Sequence, residues 1–200
     1  MDKIAIIGAG NLGTAILEGL LKSNIIIPQN LFITRRNQEQ LDKFEQLNVH
    51  YSTNNIEAVN FANIIILALQ PNHIPKVLKE IKNTLTENHV LVSVASGVSL
   101  EELSNLIDNK KVKNIIRAMP NTAIAIQESM TCICSTGKDS LDEVKKIFKQ
   151  LGEVMVIPEE LMAPATALCA CGTAFFLRAI RAASQGGIEI GFRRQLTALG

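Results

Sequence analysis

The chain carries no excess of charge of either sign: its 20 Lys and Arg face 19 Asp and Glu, a formal net charge of +1. That balance excludes a broad electrostatic pull toward nucleic acid or an anionic membrane, so any basic site must be local. No apolar run approaches the length of a membrane span, and no signal-peptide pattern precedes the first strand-like residues, which makes a cytoplasmic setting the expectation. Cysteine is sparse, with four residues in two Cys-x-Cys pairs, Cys132/Cys134 and Cys169/Cys171. That spacing is not the usual Cys-x-x-Cys of zinc sites, and the thiols read as reduced, small buried hydrophobes, so no metal is expected. Internal repeats and low-complexity tracts are absent, and no His or Lys stands out as a catalytic group.

Apolar residues make up 47% of the 200, enough for a sizeable core. At the N-terminus, Lys3-Ile4-Ala5-Ile6-Ile7 is a short β-branched run, followed at once by Gly8-Ala9-Gly10-Asn11-Leu12-Gly13 and then by residues 14–21 at helical spacing. Strand, glycine turn, helix is the order a dinucleotide site requires. Gly8 permits the sharp turn, Gly10 leaves room for a pyrophosphate, and Gly13 lets helix and strand pack closely, with the helix N-terminus offering free N–H groups to the phosphates. The bland alternative is a glycine-rich turn without a ligand.

A second strand, Asn30 to Thr34, ends in Arg35-Arg36-Asn37. An NAD site usually places a carboxylate there for the ribose 2′-OH, whereas guanidinium groups can hold a 2′-phosphate. NADP is therefore expected, with NAD possible. The alternative is that both arginines solvate the start of the next helix, 38–47, with Asn37 as its cap. Further on, strands are expected at 49–51, 63–69, 89–94, 112–118, 129–134 and 153–157, and helices at 54–61, 74–83, 100–107 and 140–151. Gln70-Pro71-Asn72-His73 closes the apolar run 63–69 where ligands gather in open α/β sheets. His73 reads better as a surface cap of helix 74–83 than as an acid or base, and Ser99 with Glu102 has the spacing of a capping box.

The pattern predicts an α/β fold: a Rossmann-type doubly wound, mostly parallel sheet with an antiparallel edge over residues 1–157. From 158 to 200 it predicts the start of an all-α domain, with one long or kinked helix over 159–184 that breaks near Gly172.

At Arg117-Ala118-Met119-Pro120-Asn121-Thr122 the chain resembles the pyrroline-5-carboxylate reductases, NAD(P)H-dependent enzymes of the last step to proline. The glycine turn, Leu69-Gln70-Pro71 and Ser93-Val94-Ala95-Ser96-Gly97-Val98 agree with it, and the similarity runs the length of the chain. The resemblance implies hydride transfer from NADPH to the C=N carbon of 1-pyrroline-5-carboxylate, a small-molecule substrate, to give L-proline. It also implies a helical domain through which subunits interlock as homodimers or larger homo-oligomers.

In such enzymes Gly8, Gly10, Asn11, Leu12 and Gly13 would face the pyrophosphate and Arg35 or Arg36 the adenosine end. Ala68, Leu69, Pro71, Ala95 and Gly97 would lie about the nicotinamide, and Met119, Asn121, Thr122, Cys171 and Thr173 about the substrate. For Asn121 and Thr122 the residues themselves leave a second reading open, a turn that only caps a neighbouring helix. Because the substrate is an iminium, alignment matters more than a strong protein acid, so no catalytic side chain is singled out.

Two departures stand out. Ala167-Leu168-Cys169-Ala170-Cys171-Gly172-Thr173-Ala174-Phe175 replaces the family's A-L-S-G-S-G-P-A-Y, which alters hydrogen bonding and helix geometry. Family members also continue with further helices and a Ser-Pro-Gly-Gly-Thr-Thr-like stretch that holds the substrate carboxylate, so residues 158–200 read as an apparently truncated start of that domain. These departures keep two alternatives open: a reductase of another imine or ketone, and a cofactor-binding relative without turnover.

Overall fold

The structure, a computed structural model, describes residues 3–37, 42–107, 112, 114–137 and 140–192. Three short apolar runs lie side by side at its centre: β1 (Ile4–Ile7), β4 (Ile64–Leu67) and β5 (Val90–Ser93), every residue of them buried. Successive side chains of a strand point to opposite faces. Ile4 and Ile6, Ile64 and Ile66, and Val90 and Val92 accordingly join one core, while Ala5 and Ile7, Ile65 and Leu67, and Leu91 join the other. Burial on both faces is what an uninterrupted β-branched run requires.

Around these strands lie β2 (Leu31–Thr34), β3 (His50–Ser52), β6 (Asn114–Met119), β7 (Ser129–Ser135) and β8 (Gly152–Val156), in the order β3-β2-β1-β4-β5-β6-β7-β8. All neighbours are parallel except β6 and β7, so β7 and β8 form the expected antiparallel edge. The first six strands have the doubly wound order of dinucleotide-binding sheets.

The helix α1 (Asn11–Ser23) and α5 (Leu141–Lys149) cover one face; α2 (Asn55–Phe61), α3 (Ile74–Ile81) and α4 (Leu100–Ile107) cover the other. Local chemistry sets their ends. Asn54 caps α2 by accepting from the Ile56 amide at 2.9 Å. Ser99 and Glu102 form the expected capping box: the Glu102 amide donates to Ser99 Oγ at 3.1 Å, and the Ser99 amide to Glu102 Oε2 at 2.7 Å. Those bonds hold the Glu102 carboxyl below the usual carboxylate range.

Two helix expectations need correction. In the stretch 38–47, residues 38–41 lie outside the described residues and Asp42–Leu47 is a 3-10 helix rather than an α-helix. Phe44 is buried there while Glu45, Gln46 and Leu47 are exposed, so a single anchor replaces an apolar stripe. His73 does not cap α3: it makes no side-chain cap bond, and its Nδ1 lies 2.7 Å from Asn72 Oδ1.

From Glu159 to Glu189 the chain is helical: a 3-10 turn (Glu159–Leu161), α6 (Met162–Ala165), a π-turn over Thr166–Cys171 and α7 (Gly172–Glu189). The expected break near Gly172 is this π-turn, in which the Gly172 amide reaches back five residues to the Ala167 carbonyl. Taken as one run, Glu159–Glu189 is by length and composition long and apolar enough to cross a membrane, which corrects the expectation that no such stretch exists. Read residue by residue, Arg178 and Arg181 interrupt its apolar pattern.

Cys132 and Cys134 project from β7 into the core. Burial pushes both thiols up to about 11, and for Cys132 the adjoining Cys169 thiol adds to the rise. Native thiols that stay protonated while unfolded ones ionise make stability fall as pH rises, here between about 9 and 11. Chemical denaturation at pH 8 and pH 10.5 should therefore show a loss of stability that Cys132→Ala and Cys134→Ala each reduce.

Candidate functional site

The carboxyl ends of β1, β2 and β4 open onto a cleft of about 610 Å³. Its floor is Gly8, Ala9 and Gly10, one side is Thr34, Arg35 and Arg36, and the other is Ala68, Leu69, Gln70 and His73 with Lys76 and Glu80 of α3. The turn at its base follows from backbone crowding. Gly8 has φ +112°, and a Cβ there would collide with the Ala68 carbonyl oxygen; at Gly13 it would collide with the carbonyl oxygen of Gly8. At Gly10, by contrast, a Cβ meets nothing within 4 Å. Two of the glycines are thus demanded by the protein itself, and the third faces empty space.

That space lies at the head of α1, which begins at Asn11 without a side-chain cap and without an acidic residue in its first turn. The Thr14 amide already bonds the Gly10 carbonyl at 2.9 Å, whereas the first N–H groups of a helix have no intrahelical partner and can donate to an anion. The Gly8 and Ala9 amides are held by the Thr34 carbonyl at 3.2 and 2.8 Å, fixing the turn to the end of β2. An uncapped helix head, an open Gly10 and two arginines on one rim fit a dinucleotide phosphate chain.

Of the residues expected around a cofactor, Gly8, Gly10, Arg35, Arg36, Ala68 and Leu69 line this one cleft. Gly13 supports its base, Asn11 and Leu12 open α1 beside it, and Pro71 starts the 3-10 turn leading to α3. Ala95 is buried at the end of β5, and Gly97 is exposed with φ +76°. The two arginines differ. Arg35 is half-buried and its Nη1 donates to the Ala9 carbonyl, while Arg36 is exposed.

The residues expected about a substrate lie at the far end of the same sheet edge. Met119 is buried, and Thr122 and Cys171 are exposed. Both polar ends of the Asn121 amide are bonded: Oδ1 accepts from the Ala123 amide at 3.0 Å, and Nδ2 donates to the Cys169 carbonyl at 3.2 Å. Thr173 Oγ1 donates to that same carbonyl at 3.1 Å. Asn121 thus caps the 3-10 turn Thr122–Ile126 and also ties it to the π-turn. Nearby, Arg117 Nη1 meets Glu159 Oε1 at 2.8 Å, and the same oxygen accepts from the Leu100 amide at 2.7 Å. Among the described residues no group of three or more His, Cys, Asp and Glu is placed to hold a metal.

Sequence reasoning missed Asn55. Thr34 Oγ1 donates to its Oδ1 at 2.7 Å and its Nδ2 donates to Glu80 Oε2 at 3.2 Å, so it bridges β2 and α3 across the cleft. The Asn54-Asn55 pair at a strand-to-helix junction was the available signal, since one asparagine suffices as the cap.

Comparison with known proteins places the chain among reductases. A family model described as "NADP oxidoreductase coenzyme F420-dependent" matches residues 3–97. Pyrroline-5-carboxylate reductase 1 of Dictyostelium discoideum is 42% identical over 206 residues, covering 96% of this chain, and the chain spans 37% of that relative's length. Pyrroline-5-carboxylate reductase 2 of the same organism is 36% identical over 208 residues, covering 96% of this chain and 70% of the relative. The crystal structure of Plasmodium falciparum pyrroline carboxylate reductase with NADP bound superposes with a TM-score of 0.86 at 28% identity, covering 98% of this chain and 72% of that one.

The contrast between the glycines is testable. Gly13→Ala should lower stability by about 2–3 kcal/mol, because backbone must shift to admit the methyl group. Gly10→Ala should cost about 1 kcal/mol or less yet weaken dinucleotide binding at least about tenfold. Denaturant melts and titration by intrinsic cofactor fluorescence check both.

Proposed function

The chain belongs to the pyrroline-5-carboxylate reductase family, and we propose that it binds NADPH in the cleft above β1 and reduces 1-pyrroline-5-carboxylate to L-proline. The observation that supports this most directly is the junction of an uncapped α1 N-terminus, an open Gly10 and a basic rim in one cleft. Bound there, NADPH would supply a hydride from C4 of its nicotinamide to the electrophilic C=N carbon of the substrate.

The chain's own residues contribute binding and alignment. The α1 amides and Gly10 receive the pyrophosphate, and Ala68 and Leu69 present a small, apolar wall beside it. Thr34, Asn55 and Glu80 hold the two sides of the cleft at a fixed distance. The protonated imine nitrogen already activates the carbon, so holding donor and acceptor in contact accounts for much of the rate. Met119, Asn121, Thr122, Cys171 and Thr173 are assigned to the substrate end. Asn121 acts there by positioning the π-turn, since its amide is already used on Ala123 and Cys169.

We divide the chain into an NADP-binding domain, 1–157, and a helical segment, 158–200. The helical segment exposes Phe175, Phe176, Leu177 and Ile180, each more than half exposed. A second copy of the chain is the occupant proposed for that face, giving a homodimer or larger homo-oligomer. The four free thiols suit a reducing, cytoplasmic setting.

Loss of NADPH absorbance on adding 1-pyrroline-5-carboxylate to the purified chain tests the proposal. Turnover with this imine and none with open-chain ketones is the expected result. Cofactor binding without turnover would instead make the chain a binding relative, and turnover of ketones would assign a different substrate.

A further inference from the structure

Three cations line the cleft, and the structure gives them different positions. Arg35 is anchored at both ends: its amide donates to the Ser52 carbonyl at 3.2 Å, and its guanidinium turns back onto the Ala9 carbonyl inside the glycine turn. Removing it would take away the bond on the Ala9 carbonyl and leave the turn held by the Thr34 carbonyl alone. Arg36 is exposed, and none of the described residues pairs with it.

The third cation stands on the opposite wall. The Thr34–Asn55–Glu80 bridge pins α3 to the end of β2. Lys76 lies four residues before Glu80, so it shares that helix face one turn nearer the N-terminus and borders the same cleft. An i,i+4 Lys and Glu would ordinarily attract each other, yet no ion pair closes between them. The Glu80 carboxylate is instead held by Asn55, which leaves the Lys76 ammonium free.

We infer that Arg36 from the end of β2 and Lys76 from α3 are two jaws of one anion site for the phosphate on the adenosine ribose, and that Arg35 is a positioning residue for the glycine turn. This rests on the dinucleotide reading above. A doubly charged 2′-phosphate offers several acceptor oxygens, enough for a planar guanidinium on one side and a compact ammonium on the other. The cation on α3 adds to cofactor discrimination from a helix that a search for residues downstream of the second strand does not reach.

Calorimetric titration with 2′,5′-ADP and with 5′-AMP separates the roles without requiring turnover. Lys76→Met and Arg36→Ala should each weaken 2′,5′-ADP about tenfold, the loss of one charge-assisted contact, while 5′-AMP changes by less than about twofold. Arg35→Ala should weaken NADPH and NADH by similar factors, because the turn serves both. Thermal melts of the exposed-residue variants confirm folding. The Lys76 assignment is overturned if Lys76→Met leaves 2′,5′-ADP binding unchanged, or weakens both nucleotides equally. The Arg35 assignment is overturned if Arg35→Ala weakens NADPH alone. A wild-type chain that binds neither 2′,5′-ADP nor NADPH would remove the dinucleotide reading itself, a failure distinct from either of these.

Discussion

The whole site depends on how closely one backbone approaches another at the end of β1. Gly13 in the first turn of α1 packs against the carbonyl of Gly8, and Gly8 against the carbonyl of Ala68 at the end of β4. Only residues without a Cβ allow that approach, and only that approach brings the head of α1 down onto the sheet edge with its amides facing the cleft. Thr34 then fixes the turn from the side through its carbonyl, and Arg35 returns from the end of β2 to hold Ala9. The cleft is therefore preorganised by main-chain contacts, which suits a ligand whose phosphates need donors already in place.

At the other end of the same edge, polar contacts fix the helical segment. Glu159 accepts from Arg117 and from the first amide of α4, and the Cys169 carbonyl accepts from Asn121 and Thr173. The Arg117 side chain is 9% exposed and that of Glu159 34%, so desolvation offsets much of their attraction. The value of the pair lies in orientation: it sets where the helical run leaves the sheet. The π-turn that follows widens the helix where the family's serine and proline pattern is replaced. Thr173, in place of proline, supplies a hydroxyl that bonds the Cys169 carbonyl.

Much of this was legible in the sequence because the signals are local. The buried strands announce themselves as β-branched runs, the glycine turn by the conformations it demands, and the Ser99–Glu102 box by its spacing. Long-range choices were not legible. Nothing in Thr34-Arg35-Arg36 says which guanidinium turns inward, because that depends on where Ala9 lies in space. Asn55 and Lys76 read as helix surface until the fold sets α2 and α3 against the cleft. The Asp42–Leu47 stretch looks helical by composition, but it is a 3-10 turn in which Phe44 is buried while Glu45, Gln46 and Leu47 are exposed.

Amide hydrogen exchange with and without saturating NADPH tests most directly the claim that cofactor lies on the glycine turn between the two cationic rims. The expected result is slowed exchange at residues 8–14, 34–36 and 68–70, with the core of β5 and β6 unchanged. Unchanged exchange at residues 8–14, or protection confined to the helical run after Pro158, would contradict the account.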